Sequence, residues 1–194
     1  MSGLLAAPML SQRWTGPRCF SSVNAVVAAN TLYACPFIPL ETFTCDQLAI
    51  RVATGAAGSA KIGIYTSLAT LLPDALVAEN TADLDTTSTS TLQGAFTSNP
   101  TLTVGALYYL ATCYSVTPTM ACWAHGVVQN GGFPWLIGAA SASSWLVTGN
   151  APVRITRTAA LTYVAGSAFF PASFGAATEG AGTPGSPLVA VRKL

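Results

Sequence analysis

Residues 45–65, CDQLAIRVATGAAGSAKIGIY, contain two runs in which apolar residues alternate with others. In residues 48–52 every second residue is apolar and would share one face of an extended chain. Residues 61–65 repeat the same period of two. Because the turn-forming cluster at 54–59 separates the runs, the stretch predicts two β-strands joined as a hairpin or an equivalent strand pair.

Further runs extend this pattern along the chain. Residues 102–114 begin with alternation and continue as one longer strand rich in aromatic residues, and residues 153–156 and 188–192 are shorter candidates. Helical signals are confined to short turns at 24–30 and 136–141. Many short strands joined by Gly, Pro, Ser and Thr turns predict an all-β, jelly-roll-like antiparallel β-sandwich.

The chain has 194 residues, the length of one domain or of one domain with an arm. Residues 1–28 lack sustained alternation and are predicted to be an N-terminal arm that attaches to a neighbour. The β-sandwich domain is then expected at 29–194. Within it, residues 115–150 are predicted to be a long, apolar, loop-like insertion that packs on something or performs a function.

Charge is scarce in this chain. Eight basic and seven acidic residues give a net charge of +1 and a charged fraction of 8%, against about 25% in typical proteins. Nucleic-acid binding through phosphate neutralisation is therefore not expected. Hydrophobic types make up 51%, yet no window holds the roughly 20 apolar residues of a spanning helix, so no membrane insertion is expected. Without a basic N-terminal region the chain is predicted to be soluble and not exported by the ordinary route.

Candidate catalytic residues are few. His125 is the only histidine, and it forms a CxxH spacing with Cys122. Even if Cys113 joined them, a zinc ion would still need a fourth ligand or a bound water. A Cys–His nucleophile pair is disfavoured, because three residues of separation on a strand place the side chains on opposite faces. Asp83 and Asp85 suit turn or edge roles better than glycosidase chemistry. We predict no catalytic residue, metal site or cofactor, and no enzymatic activity.

Two glycine-rich strings and the cysteines also indicate structural roles. Residues 180–185 match GxGxxG, but the nine residues that follow are too few for the helix of a dinucleotide site. Residues 55–61 lack the ending of a phosphate-binding loop. An odd number of cysteines at irregular spacings predicts buried thiols rather than a disulfide framework. They are Cys19, Cys35, Cys45, Cys113 and Cys122.

Aromatic residues concentrate in the insertion. Trp123, Phe133, Trp135 and Trp145 could form a stacking surface for a glycan, since aromatic rings offer a large contact area at low entropic cost. The same four side chains could instead pack a subunit interface or the core of the loop. We favour the packing role, because tryptophan marks protein interfaces as readily as ligand sites.

The surface between residues 86 and 153 must be built without Asp, Glu, Lys or Arg. Exposed strand faces there will carry Ser, Thr, Ala, Gly and aromatic side chains. Uncharged strand edges and apolar patches invite association. We therefore expect a permanent homo-oligomer in which identical copies cover much of this surface.

Six strand motifs resemble those of jelly-roll modules in the tail-fibre, head-fibre and spike proteins of tailed bacteriophages and related gene-transfer particles. In these modules a strand ending in GIY, here residues 63–65, is followed by a segment similar to LPDALVAE at 72–79, where Asp74 stands in place of the preferred Gly. The other motifs are ANTLYACPF at 29–37, CDQLAIRV at 45–52, TLTVGALYYLA at 101–111 and SPLVAVR at 186–192. Similar patterns occur in bacterial surface adhesion modules.

This resemblance implies a virion structural protein, a fibre or spike component on head or tail that assembles in the host cytoplasm as an oligomer, commonly a trimer. Residues 1–28 would dock on other virion proteins, and the distal loops could contact a host-surface glycan. The resemblance implies no catalytic residues. The alternative is a carbohydrate-binding β-sandwich module of a bacterial cell-surface protein, which would bind glycans as an isolated monomer.

Overall fold

The computed structural model describes residues 9–16, 22–123, 154–157, 159, 161–166, 168–180 and 186–194. The regular secondary structure in these ranges consists entirely of β-strands. Accordingly, the described ranges hold no apolar helix of membrane-spanning length. The strands are β1 (Trp14–Thr15), β2 (Ser22–Val26), β3 (Tyr33–Phe37), β4 (Phe43–Thr54), β5 (Ser59–Ser67), β6 (Pro73–Glu79), β7 (Leu84–Asp85), β8 (Ser90–Ala95), β9 (Thr101–Leu102), β10 (Tyr108–Tyr114), β11 (Thr119–Trp123), β12 (Arg154–Arg157), β13 (Ala177–Gly180) and β14 (Val189–Lys193).

The strands form two antiparallel sheets. The first has the order β1-β14-β4-β11-β2, and β8 and β9 also pair with β4. The second has the order β13-β12-β3-β10-β5-β6, and β7 pairs with β5. Consecutive strands often lie in different sheets, as for β3 and β4, β4 and β5, and β10 and β11. The prediction of an all-β antiparallel β-sandwich is confirmed.

The main core lies between the sheets. The alternating residues Leu48, Ile50 and Val52 of β4 belong to the same buried cluster as Ile62 and Ile64 of β5. A period of two therefore places the apolar residues of each strand on the face that meets the opposite sheet. The strands predicted near residues 48–52, 61–65, 153–156 and 188–192 are all present.

The predicted pairing of the first two of these strands is wrong. β4 pairs with β8, β9, β11 and β14, whereas β5 pairs with β6, β7 and β10. The link between them crosses from one sheet to the other and is held by Thr86, whose O accepts from Ala56 N and whose N donates to Gly58 O. Gly55 is required in this crossing, because a Cβ there would lie 2.0 Å from Thr87 O. Alternation marks the buried face of a strand but not its neighbour.

Two further predictions need correction. Residues 102–114 are two strands, β9 and β10, separated by a turn in which Gly105 has a φ of 75°. Residues 24–30 contain no helical turn, because β2 extends to Val26 through pairing with β11. Asn30 ends this segment in the left-handed region at a φ of 57°. The helical turn predicted at 136–141 lies outside the described residues.

A second core covers the outer face of the second sheet. We call residues 161–166 and 168–176 the strap, since they lie across this face. β10 is buried on both sides, so its residues alternate between the two cores. The second cluster comprises Leu32, Ala34, Tyr65, Tyr109, Ala111, Cys113, Ile155, Phe170 and Phe174. Burial on both faces explains why residues 108–114 form a nearly continuous apolar run.

Two segments within residues 1–28 belong to the first sheet. β1 pairs with β14, where Trp14 lies opposite Arg192, and β2 pairs with β11, where Ala25 lies opposite Met120. These strands begin before the predicted domain boundary at residue 29. Attachment of residues 1–28 to a neighbouring protein stays a prediction.

Candidate functional site

The predicted aromatic surface falls almost wholly outside the described residues. Trp123 ends β11, where its backbone pairs with Ser22. Phe133, Trp135 and Trp145 lie in 124–153, which the structure does not describe. The glycan-stacking and interface-packing interpretations of these four aromatics both stay predictions.

His125 also lies outside the described residues, but the cysteines considered beside it do not. Cys113 and Cys122 are fully buried, the first in the second core and the second in the main core. The second sheet lies between the two thiols, which are therefore in separate environments. Among the described side chains, no group of three or more His, Cys, Asp or Glu residues could hold a metal ion.

The buried thiols should be chemically inert in the native protein. Burial raises the pKa of Cys45, Cys113 and Cys122 to about 12, and Cys35 is buried as well. Because the thiolate is the reactive species, only about one thiol in 10⁴ at such a site is reactive at pH 8. We expect at most one fast-reacting thiol per native chain with an aromatic disulfide reagent, and five after unfolding in urea. Two or more fast thiols in the native protein would contradict this burial.

Asp83 is part of a buried electrostatic contact with Lys61. The Lys61 amine is fully buried and donates to Asn80 O at 3.2 Å and to Thr81 O at 3.0 Å. Its Nζ also lies 3.4 Å from Asp83 Oδ1. Three acceptors thus match the three donors of an ammonium group, which is how a buried charge is tolerated. Lys61 therefore stabilises the bend between β6 and β7.

Asp85, the second carboxylate considered, has a different neighbourhood. Its Oδ1 accepts from Thr87 N at 2.9 Å, and hydrogen bonding by Thr87 lowers the pKa of the carboxyl. Asp83 instead bonds across to the strap. The two carboxylates serve separate local contacts, in line with the turn or edge roles favoured from the sequence.

Glu79 and Asp83 hold the strap against the sheet. Both oxygens of Glu79 accept from Phe169 N at 3.0 Å, and Oε2 also accepts from Phe170 N at 3.0 Å. Asp83 accepts from Tyr163 OH at 3.1 Å and from Gly166 N at 2.8 Å. Ionised acceptors give stronger hydrogen bonds than neutral ones. These acidic side chains therefore fix a loop that has no strand partner along most of its length.

A third charged contact lies on the outer face of the first sheet. Arg192 Nε donates to Asp46 Oδ1 at 2.9 Å, and Arg192 Nη2 donates to Asp46 Oδ2. The guanidinium carbon lies 5.8 Å from the centre of the Trp14 ring. This bidentate pair with an aromatic cover joins β1, β14 and β4.

The Asp46 contact makes stability depend on pH. The hydrogen bond from Arg192 holds the pKa of the Asp46 carboxyl below its ordinary value. Its stabilising contribution is therefore present above the unfolded pKa, about 3.9, and is lost as pH falls through the folded pKa. We expect Asp46→Asn to lower the urea midpoint at pH 7 and to lower it less at pH 2. An equal difference at both pH values would contradict the assignment.

The glycine-rich strings have no ligand-binding geometry among the described residues. Gly180 ends β13, and residues 186–194 lead into β14 rather than into a helix. Residues 55–58 form the crossing between the sheets. Lys61 points into the protein and not towards a phosphate site.

Sequence reasoning missed the buried Lys61 and the carboxylates that hold the strap. The one available signal was that Lys61 shares a strand face with Gly63 and Tyr65, neither of which is a typical solvent-facing residue. A Cβ on Gly63 would lie 2.5 Å from the Phe170 ring, so the face is covered. The covering residues are about one hundred positions away in sequence, and no local pattern identifies them.

Comparison of the chain with models of known protein families gave no match, and comparisons with curated proteins and with solved structures gave none either.

Proposed function

We propose that this chain is a non-enzymatic structural protein of a phage or phage-like particle, a fibre or spike component that works as a homo-oligomer, with a trimer favoured. Its activity is assembly, and its loops are available to contact a host surface. The proposal combines the motif resemblance with the use that the fold makes of its ionisable groups.

The observation that carries the proposal is the internal use of the acidic residues. Of the seven acidic residues, five accept hydrogen bonds from their own chain, and three of these form ion pairs. They are Glu41, Asp46, Glu79, Asp83 and Asp85. A carboxylate engaged in this way contributes to rigidity and leaves little free acid for proton transfer or ligand recognition.

The two-layered core supports the same conclusion. One apolar cluster joins the sheets and a second one joins the strap to the second sheet. The outer loop of this body is fixed by both packing and charge-assisted hydrogen bonds, which suits a rigid structural component. Low surface charge is compatible with this role if sister chains cover part of the surface.

Oligomeric state is the first test. The purified full chain should sediment as a stable oligomer at micromolar concentration in 0.15 M salt, with a trimer expected. Light scattering coupled to size exclusion gives the mass independently of shape. A monodisperse monomer at this concentration would overturn the proposal, and a monomer that binds a glycan array would favour the carbohydrate-binding module instead.

Particle association is the second test. Antibodies raised against the purified chain, conjugated to gold, should label fibres or spikes on particles isolated from the cells that encode it. Antibody pre-adsorbed with the purified chain is the control. Absence of label on intact particles would count against the virion role. Deleting residues 1–28 is less informative, because it also removes β1 and β2 from the first sheet.

A further inference from the structure

The exposed apolar side chains are unevenly distributed over the described surface. Ten large hydrophobic residues are exposed, and six of them lie at one end of the sandwich, which we call the apolar end. The six are Leu10, Leu40, Leu68, Leu71, Val104 and Leu194. Single exposed leucines are ordinary, but a cluster of this kind marks an interaction surface.

Backbone contacts show that these residues share one end. The link 38–42 joins β3 to β4, and the turn 103–106 bonds to it through Gly105 N to Pro39 O at 3.0 Å and Val104 N to Thr42 Oγ1 at 3.0 Å. Met9 N donates to Glu41 Oε1 at 2.8 Å, which brings Leu10 to the same link.

The remaining members reach this end from both sheets. Leu194 N donates to Thr44 O at 2.9 Å, at the start of β4. The turn between β5 and β6 carries Leu68 and Leu71, and Tyr109 at the start of β10 donates to Leu71 O. β10 starts beside the end of β3, since Tyr108 lies opposite Phe37.

The opposite end of the sandwich has a different surface. Its loops, at 28–31, 55–58, 86–89 and 115–118, contain none of the ten exposed large hydrophobic residues. They consist mostly of Ala, Gly, Ser and Thr. Two exposed valines lie beside these loops, Val26 at the end of β2 and Val164 next to the residue that bonds to Asn30, so the apolar end differs in carrying six such side chains rather than two.

The loops of the apolar end carry few charged side chains. The segments 9–10, 38–42, 67–72, 103–106 and residue 194 contain a single ionisable side chain, Glu41, and Lys193 Nζ lies 2.9 Å from its Oε1. A surface with so few charges can meet its own copy with little like-charge repulsion. A charged or strongly polar partner would instead leave its own groups without hydrogen bonds on contact. The occupant that fits is therefore another uncharged apolar surface, and this chain itself presents one.

We propose that the apolar end is the surface through which this chain packs against a second copy of itself. The proposal rests on the oligomeric function proposed above and names the part of the molecule that forms the contact. Leu40 and Val104 are the central side chains, because they lie on the two segments bonded to each other in the middle of this end.

Two double variants test the proposal. Leu40→Lys with Val104→Lys places two charges on the apolar end, where the native side chains are 61% and 53% exposed. Val26→Lys with Val164→Lys is the matched control, because these side chains are also 61% and 53% exposed but lie elsewhere. All four positions are on the surface, so neither variant should disturb a core. Circular dichroism and the urea midpoint check that each variant is folded.

We expect the wild type and the control to remain oligomeric and the Leu40/Val104 variant to dissociate. Its dissociation constant should rise by about 30-fold or more, the effect of losing a hot-spot residue at the centre of an interface. Sedimentation equilibrium at protein concentrations of about 1 to 100 µM measures this change, because dissociation constants of this order can be determined in that range. If the lysine variant does not fold, Leu40→Ser with Val104→Ser is measured in its place.

The possible outcomes distinguish a failure of this inference from a failure of the proposed function. A monomeric wild type would overturn both. An oligomeric wild type whose assembly is unchanged in the Leu40/Val104 variant, or equally weakened in the control, would overturn the inference alone. A chain that lacks residues 1–8 tests whether these residues, rather than a second copy, cover the apolar end. If they do, their removal increases binding of an apolar dye, and the inference is again overturned.

Discussion

Replacing Lys61 with methionine is expected to lower the free energy of unfolding by about 3 kcal/mol, because removal of one partner of a buried ion pair strands the other. The substitution takes the donor away from Asn80 O and Thr81 O and leaves Asp83 without its cation. Asp83 is 20% exposed, so water compensates part of the loss and the effect falls at the lower end of the range for such pairs. Urea unfolding at pH 7 measures it.

Arg51→Met is the matched control for this prediction. Arg51 is an exposed cation on β4, in the other sheet, with one weak hydrogen bond of 3.5 Å to Thr91 Oγ1. We expect a change within about 0.5 kcal/mol, as for most surface substitutions. In the double variant Lys61→Met with Asp83→Asn, the loss should be smaller than the sum of the single losses, since no unpaired charge remains. Equal stability of Lys61→Met and the wild type would show that the amine is not buried as described.

Phe170→Ala is expected to cost about 3 to 5 kcal/mol, the range for a large aromatic side chain removed from a core. Phe170 is buried, its ring centre lies 6.0 Å from that of Tyr65, and it covers Gly63. Its loss would open a cavity between the strap and the second sheet. Thermal and urea unfolding measure the stability, and limited proteolysis within the strap should become faster. Val164→Ala, on the exposed side of the same strap, is the control and should change stability by less than about 0.5 kcal/mol.

A second substitution tests the contact itself. Gly63→Ala alone should destabilise by about 1 to 3 kcal/mol, because the new Cβ would lie 2.5 Å from the Phe170 ring. In the Phe170→Ala background this penalty should fall without vanishing, since the methyl group gains vacated space but still lies 2.9 Å from Ala78 O. Additive effects of the two substitutions would mean that the strap does not rest on Gly63.

These contacts show where prediction from the sequence succeeded and where it stopped. The alternation in residues 48–52 and 61–65 correctly predicted two strands, because a period of two reflects local backbone geometry. Their pairing could not be read in the same way. β4 lies between strands that come from residues 90–95 and 189–193, and these partners are chosen by packing across the whole chain.

In the candidate site, too, the local features were predicted from the sequence and the long-range contacts were not. The turn-like surroundings of Asp83 and Asp85 favoured local structural roles for both carboxylates, whereas the ion pair of Asp83 with Lys61 was not foreseen. Lysine side chains generally face water. The strap overrides this rule, since it covers the outer face of β5 and makes that face a second core.

The sequence by itself determined the secondary-structure class, the scarcity of charge and the absence of a long apolar helix signal, because each depends on composition or on neighbouring residues. Only the tertiary structure decided which strands pair, which face of the second sheet is covered, and which exposed leucines and valines share one end. Those properties depend on residues far apart in sequence whose contacts form together when the sandwich closes.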